Sequence, residues 1–317
     1  MAADAAIAGG AANAGAGAAA AGPAAVPLED FERLFKRAAK PLGFGSFGEV
    51  ADATPTALGE VFIAEQLAGL PESSSARAGG GGGGGGSGGG GVKPLIVKTI
   101  VMGVDWIKDE NADYEIKALA HVHHQNIVRF FGSWHCPGSA PGYAGRVFSD
   151  LPSAEKACDS VCDGARPYLA EVKSSRDGRH FVVPREPTGG MTNDARDKFE
   201  HAFEAVGGGQ RLDASFLVME KATGVPDRGE PPPEANGASK GEFWWFCWDK
   251  PMSERRAKLI FVQLLLAVDF LHSRQPHPIV HRDLKSENML VCGYLRGADG
   301  RDLLSSEGEP VPVVKLR

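Results

Sequence analysis

The chain has 317 residues, a net charge of −6 and a pI of about 5.9. This charge argues against a strongly basic nucleic-acid-binding protein, and no apolar run reaches the roughly 20 residues that a membrane-spanning helix needs. The five cysteines are odd in number and irregularly spaced, which favours reduced thiols in a cytoplasmic or nuclear protein. We therefore expect no nucleic-acid or membrane partner. The spacing of Cys136, Cys158 and Cys162 matches no zinc knuckle.

Two segments have compositions that do not support a packed core. Residues 1–25 contain 15 alanines, and residues 79–91 are all glycine except Ser87. Such segments bury too little apolar surface to offset the entropy lost on ordering. We expect a disordered tail over 1–27 and a flexible loop expansion over 79–91.

Periodicity and composition predict the regular elements in chain order. They are a short helix or lead-in over 28–40, a strand over 92–100, a helix over 105–122, and strands over 126–132 and 214–220. The clearest helix covers 253–272, with Ser253 as its N-cap. Its predicted apolar stripe consists of Leu259, Val262, Leu266, Ala267 and Phe270.

Two polar segments interrupt this pattern. Residues 137–210 are rich in Pro, Gly, Asp and Ser with little periodicity, and 223–240 contains three consecutive prolines. We expect both to be surface inserts. Strands early in the chain and a helix later predict an α+β protein with two segregated layers.

The segment Gly43–Val50 reads Gly-Phe-Gly-Ser-Phe-Gly-Glu-Val. Glycines at this spacing allow a hairpin backbone to close over phosphates with its amides as donors. Taken alone, the pattern also suits an ordinary glycine-rich turn. Lys98 on the predicted strand and Glu115 on the following helix likewise suit solvent-facing positions when each is taken alone.

The segment His281–Asn288 reads His-Arg-Asp-Leu-Lys-Ser-Glu-Asn and decides between these interpretations. It combines an acid, a cation and an amide at the spacing of a phosphoryl-transfer loop. Asp283 can accept or orient a hydroxyl proton, Lys285 can neutralise a migrating phosphoryl group, and Asn288 can offer an oxygen to a hard cation. The loop follows the apolar helix 253–272, which disfavours a charged surface loop without function.

With these motifs in order, the chain resembles the eukaryotic-type protein kinases from Pro41 onward. The resemblance implies an α+β, two-lobed fold with a β-rich N-lobe and a helical C-lobe that is incomplete here. It implies a tail and lead-in over 1–40, an N-lobe over 41–220 with inserts at 58–92 and 137–210, and a partial C-lobe over 221–317 with an insert at 223–240. The implied activity is transfer of the ATP γ-phosphoryl to Ser or Thr hydroxyls of a protein, with ATP and Mg²⁺ as cofactors.

The resemblance also assigns roles to matching residues. Asp283 is similar to the catalytic base, Lys98 and Lys285 to the phosphate-holding lysines, Glu115 to the ion-pair partner of Lys98, and Asn288 to a Mg²⁺ ligand. The other implied nucleotide contacts are Gly43, Gly45, Ser46, Phe47, Gly48, Val50, Ile96, Met219, Glu220, Ala222, Glu242 and Leu290.

The motifs indicate the kinase subgroup and the substrate less specifically than they indicate the family. Lys285 is typical of serine/threonine kinases. Residues 115–120 and 126–134 are similar to the kinases of the translation initiation factor, whereas Ser286-Glu287-Asn288 is more similar to the calcium/calmodulin- and AMP-regulated group. Glu242 and Glu287 match glutamates that bind upstream substrate arginines in basophilic kinases, which predicts a basic peptide substrate. The alternative is that Glu242 contacts only ribose, or nothing, and Glu287 is a solvated loop residue.

Two departures from the family stand out. Ile96 occupies a position that is usually alanine, and the added bulk against the adenine is expected to cost about 1–3 kcal/mol. The Asp-Phe-Gly motif, which would follow the strand 313–317, is absent from the 317 residues. We therefore expect a kinase that is truncated here and inactive as this chain alone. The alternative is a catalytically dead nucleotide-binding or interaction module.

Overall fold

The structure is a computed structural model. It describes residues 28–45, 48–68, 94–103, 106–165, 168–185, 192–226, 241–247, 252–297 and 299–317. The predicted tail over 1–27, the glycine tract over 79–91 and residues 227–240 of the second predicted insert lie outside this described part. Within it, no helix combines the length and the apolar character needed to cross a membrane.

A five-stranded sheet has the strand order β1-β2-β3-β9-β4. Its strands are β1 (Phe35–Gly45), β2 (Gly48–Pro55), β3 (Leu95–Met102), β4 (Phe130–Cys136) and β9 (Asp213–Glu220). Three helices accompany these strands in sequence: α1 (Leu28–Leu34), α2 (Ala57–Ala68) and α3 (Trp106–Ala120).

Three of these elements lie where the sequence predicts them, whereas the predicted bounds of others differ from the observed ones. The predictions for β3, α3 and β9 are confirmed to within a few residues. The helix or lead-in expected over 28–40 is helical only to Leu34, after which β1 begins. The strand expected over 126–132 begins at Phe130 instead and continues to Cys136. The helix α2 occupies the start of the insert predicted at 58–92.

The described residues divide into two compact units. The described residues within 1–51, 97–117 and 132–218 form the first unit, and those within 52–96, 118–131 and 219–317 form the second. An aromatic cluster lies in the first unit. The rings of Phe31 and Phe216 stack with centroids 4.7 Å apart, and Phe35 meets Trp134 edge-on at 5.3 Å.

The described residues of the segment 137–210, which we call the inserted segment, form helices and strands, in contrast to the expected lack of periodic structure. It forms a second sheet of strand order β6-β7-β5-β8, made of β5 (Arg146–Phe148), β6 (Ala170–Ser174), β7 (His180–Pro184) and β8 (Gln210–Arg211). Helices α4 (Leu151–Gly164) and α5 (Asn193–Val206) complete it. Each helix has an apolar face, and the buried residues of these faces are Ala154, Ala157, Val161, Phe199, Ala202 and Phe203. Burial of these faces offsets the conformational entropy that the segment loses on folding. Its polar composition leads us to expect too little apolar burial for this.

The second unit is built around α7 (Glu254–His272), which follows the short helix α6 (Phe243–Cys247). The predicted N-cap is confirmed, because the Ser253 side chain accepts a hydrogen bond from the Arg256 amide. Three residues of the predicted apolar stripe, Leu259, Val262 and Leu266, are exposed, whereas Ala267 is buried. The buried residues of the helix are instead Ile260, Gln263, Leu264, Ala267 and Leu271. Apolar residues occur on two faces of α7, so periodicity alone did not select the buried one.

The α7 core packs against an antiparallel pair, β10 (Met289–Tyr294) and β11 (Pro312–Leu316). Leu290 faces Lys315 and Val291 faces Val314 in this register. Val291, Val314 and Leu316 are almost fully buried with the α7 residues. This pair therefore anchors the loop 281–288 that leads into β10.

Candidate active site

The loop 281–288 brings the three predicted catalytic side chains together. The Asp283 carboxylate accepts hydrogen bonds from Lys285 Nζ at 2.9 Å and from Asn288 Nδ2 at 2.7 Å. Asn288 Nδ2 also donates to the Asp283 carbonyl at 2.8 Å, and Arg282 takes a left-handed φ of 65°. This tight turn presents Asp283 and Lys285 to solvent while Asn288 is buried.

The surroundings of Asp283 favour its ionised form. The hydrogen bond from Lys285, followed by that from Asn288, lowers the pKa of the Asp283 carboxyl below its ordinary value. The carboxylate is therefore available as a proton acceptor at neutral pH.

Strand β11 fixes the loop from its other side. Arg317 donates from its backbone N to the Asn288 carbonyl at 3.0 Å and from Nη2 to Asn288 Oδ1 at 3.1 Å. His281 Nε2 donates to the Arg317 carbonyl at 2.9 Å. Asn288 is thus held by both its neighbours in the loop and the end of β11.

The contacts of Asn288 bear on its predicted role as a Mg²⁺ ligand. Mg²⁺ in proteins is usually held by one or two carboxylates together with substrate phosphates and water. Here Asn288 Oδ1 accepts from a guanidinium cation, and the described residues contain no group of three or more His, Cys, Asp or Glu suited to a metal ion. The described residues therefore contain no set of ligands that would hold Mg²⁺ without substrate phosphates and water.

The glycine-rich motif lies at the turn between β1 and β2. Gly45 ends β1 and Gly48 begins β2, which matches the predicted hairpin, while Ser46 and Phe47 lie outside the described residues. A Cβ built on Gly43 would meet nothing within 4 Å, so the space beside this backbone is open. Val50 is half-buried on β2.

Lys98 lies on β3, between the buried residues Val97 and Thr99. Lys98 itself is half-buried, as the alternation of side chains along a strand requires. Ile96 has the same half-buried character. Glu115 lies on α3, but its side chain is outside the described part, so its ion pair with Lys98 stays a prediction.

The segment predicted to contact adenine follows the end of β9. Met219 and Glu220 are buried. The Glu220 carboxylate accepts hydrogen bonds from the Arg129 amide at 2.8 Å and from Lys315 Nζ. Because the register pairs Lys315 with Leu290, this ion pair ties the predicted adenine segment to the strand pair that follows the loop 281–288.

Three more predicted contacts, Ala222, Glu242 and Leu290, are brought together in the second unit. Glu242 forms an antiparallel bridge with Leu290, and its carboxylate accepts from the Trp244 indole N–H. A Cβ on Gly241 would lie 2.5 Å from the Ala222 carbonyl oxygen, so only glycine allows this close approach.

Sequence reasoning missed the polar residues that hold β11 in place. Gln263 Oε1 accepts from Asn126 Nδ2 and from the Val314 amide, each at 3.0 Å, and Gln263 Nε2 donates to the Pro312 carbonyl at 2.9 Å. The only local signal was a glutamine within an apolar helix. No local sequence signal indicated the role of Lys315, because its partner Glu220 lies 95 positions earlier in the chain.

Comparison with known proteins gives a match for the segment that contains the loop 281–288 and its flanking residues. Residues 238–299 match the model of the protein kinase domain. This segment is therefore similar to part of a protein kinase domain. Over 41 residues it is 51% identical to a protein of Dictyostelium discoideum described as probable serine/threonine-protein kinase samkA. That alignment covers 13% of this chain and 6% of the relative's length.

The protein kinase match and the mixed helices and strands, with a β-rich N-terminal region, confirm the expected α+β kinase-like fold. Protein kinases generally use ATP and Mg²⁺ and act on protein substrates. The resemblance to initiation-factor kinases, and its alternative, remain predictions from the motifs.

Proposed function

We propose that the protein is an ATP-dependent protein kinase that phosphorylates Ser or Thr hydroxyls. The observation that carries this proposal is the contact of Asp283 with both Lys285 and Asn288, within the segment that matches the protein kinase domain. An ionised acid beside a cation suits proton acceptance from a hydroxyl next to an anionic phosphoryl group.

In the proposed reaction the substrate hydroxyl oxygen forms a bond to the γ-phosphorus as the bond to the β,γ-bridging oxygen breaks and ADP leaves. Asp283 orients the hydroxyl and receives its proton. Lys285 Nζ, 2.9 Å from Asp283, neutralises charge on the transferred group. Asn288 keeps the Asp283 carboxylate in place, and Lys98 holds the nucleotide phosphates. When bound, Mg²⁺ supplies further neutralisation of phosphate charge.

Met219, Glu220 and Ala222 are proposed to contact the adenine. Support comes from the ion pair of Glu220 with Lys315, which fixes this segment to β11. Ile96 remains half-buried on β3, at the position where its bulk is predicted to weaken adenine binding.

The finer proposal concerns the substrate. Lys285 and the partial relative support Ser/Thr specificity. Hydrogen bonds from the Glu287 amide and the Ser286 hydroxyl lower the pKa of Glu287, which keeps its exposed carboxylate anionic. With Glu242 bridging to Leu290, two carboxylates flank the start of β10, which supports a basic peptide substrate. A translation initiation factor is proposed as the substrate from the sequence motifs alone.

We also propose a cytosolic or nuclear location. All five cysteines are free thiols in the structure, as expected for a reducing compartment. Burial raises the pKa of the Cys136 and Cys158 thiols to about 11, so neither is a reactive thiolate at neutral pH.

A non-catalytic nucleotide-binding module is the second candidate. One contact favours it: the Arg317 guanidinium bonds to Asn288 Oδ1, the oxygen assigned to a cation. The two candidate functions differ in whether the γ-phosphoryl group of bound ATP is transferred to a substrate.

The experiment that tests the proposal is phosphoryl transfer from γ-labelled ATP by the protein expressed from its complete coding sequence. Arginine-rich Ser/Thr peptides serve as acceptors, and labelled products are hydrolysed to identify the phosphoamino acid. Phosphoserine or phosphothreonine is expected. Label on tyrosine alone would refute the Ser/Thr proposal, and ATP binding without any transfer would support the non-catalytic module.

A further inference from the structure

A buried polar network joins the inserted segment to the glycine-rich hairpin. Glu49 directly follows Gly48 on β2 and is 7% exposed. The Tyr143 hydroxyl donates to one oxygen of the Glu49 carboxylate, and Arg37 Nη1 on β1 donates to the other. Arg37 Nη1 also reaches Thr99 Oγ1 on β3 at 3.2 Å. One carboxylate therefore receives bonds from the hairpin and from the inserted segment.

The inserted segment holds Tyr143 rigidly. Tyr143 lies in a 3₁₀ turn, Gly142–Ala144, whose residues are all buried. Arg146 Nη1 donates to the carbonyls of Gly142 and Gly145 at 2.9 and 3.1 Å. A Cβ on Gly142 would lie 2.5 Å from Glu200 Oε1 on α5, so the turn is packed tightly against this helix.

The ring of Tyr143 has a further contact, with the Arg196 guanidinium 5.9 Å from its centroid. Burial, and then the neighbouring Glu49 carboxylate, raise the pKa of the Tyr143 hydroxyl. The hydroxyl therefore stays protonated and donates to Glu49 throughout the physiological pH range.

The network lies on the side of the hairpin opposite the predicted phosphate site. Side chains alternate along a strand, so Glu49 and Val50 face opposite sides of β2, as do Thr99 and Lys98 on β3. Glu49 and Thr99 are buried and share the Arg37 contact, whereas Val50 and Lys98 are half-buried. The inserted segment thus contacts the hairpin on the face of Glu49 and Thr99, opposite to the face of Val50 and Lys98.

We propose that Tyr143 is a positioning residue for nucleotide phosphates, acting through Glu49 on the glycine-rich hairpin. The inference rests on the proposed nucleotide-binding function. It assigns the inserted segment a role in catalysis: its folded sheet and helices set the position of the hairpin that covers the phosphates. A hairpin released from Tyr143 samples more conformations, and phosphate binding then bears the cost of ordering it.

The test compares Tyr143→Phe with Tyr168→Phe in the full chain. Both changes remove one hydroxyl from the inserted segment, but the contacts of Tyr168 among the described residues are with Phe199 and Lys198. Two quantities are measured: the affinities for ATP and for adenosine, and amide hydrogen exchange of peptides covering 35–55 and 254–272. Glu49→Gln is the second variant, because it keeps the side-chain shape and removes the charge that Tyr143 contacts.

Losing a hydrogen bond to a charged group is expected to weaken ATP binding about three- to tenfold in Tyr143→Phe and leave adenosine binding unchanged. Exchange should rise over 35–55 but not over 254–272, with Tyr168→Phe resembling the wild type and Glu49→Gln resembling Tyr143→Phe. Unchanged exchange over 35–55, or equal losses of ATP and adenosine affinity, would overturn the inference. A wild-type chain that binds no ATP would refute the proposed function, and the exchange data would still decide whether Tyr143 holds the hairpin.

Discussion

Replacing Lys315 by Met removes the cation from the ion pair with Glu220. The side chains of this pair are 12% and 8% exposed, so the pair is screened little by solvent. After the substitution the Glu220 carboxylate keeps the Arg129 amide as a hydrogen-bond donor but remains buried without its counter-ion. Removing one partner of a buried pair typically costs about 3–5 kcal/mol, and we expect a loss of that order in the free energy of unfolding.

The chain offers a matched control in Lys221→Met. Lys221 Nζ lies 2.6 Å from Asp52 Oδ1, but these side chains are 31% and 45% exposed. Exposed pairs of this kind are typically worth about 0–1 kcal/mol. The same chemical change in the same unit should therefore cost several-fold less than at Lys315.

The assay is urea unfolding of the wild-type chain and both variants, followed by tryptophan fluorescence. A double variant, Lys315→Met with Glu220→Gln, should recover part of the loss because the buried charge is also removed. If Lys315→Met is no more destabilising than Lys221→Met, the argument that burial makes this pair important is refuted.

Three further predictions concern the candidate site. Lys98→Met should weaken ATP binding about tenfold or more, measured by calorimetry, because a charge-assisted phosphate contact is lost; unchanged affinity would count against the assigned role. Lys285→Met should move the acidic limb of the pH–rate profile to higher pH, because the contact that lowers the pKa of Asp283 is gone and the base protonates at higher pH; an unmoved or lowered limb would exclude Asp283 as the titrating base. Glu242→Ala with Glu287→Ala should abolish preference for upstream arginine in a peptide library; an intact arginine preference would show that neither carboxylate binds the substrate.

Motifs whose chemistry lies within a few residues were predictable from the sequence. The loop 281–288 contains its own acid, cation and amide, and the structure brings the three side chains into contact. The N-terminus of α7 was equally local, because Ser253 caps an amide three residues later. The glycine-rich hairpin belongs to the same class, since its glycines lie where β1 ends and β2 begins.

Features that depend on distant partners were not predictable. The buried face of α7 is chosen by β11, which packs against Ile260 and Leu264 rather than Val262 and Leu266. The buried face of α4 is rich in alanine, which gives a weak hydrophobic signal, although Ala154 is fully buried. The prediction for the inserted segment therefore rested on the composition of its polar loops and missed the residues that form its core.

The most direct test of the kinase proposal is the rate of phosphoryl transfer by Asp283→Asn compared with Asp299→Asn in the protein expressed from its complete coding sequence. Asp299 is exposed and bonds only within its own turn among the contacts described, to the Arg301 amide at 3.1 Å and to the Arg301 side chain. Removing the proton acceptor should lower the rate about 10²–10⁴-fold while the Asp299 variant keeps wild-type activity. Equal rates for the two variants, with ATP binding intact, would contradict the assignment of this loop as the active site.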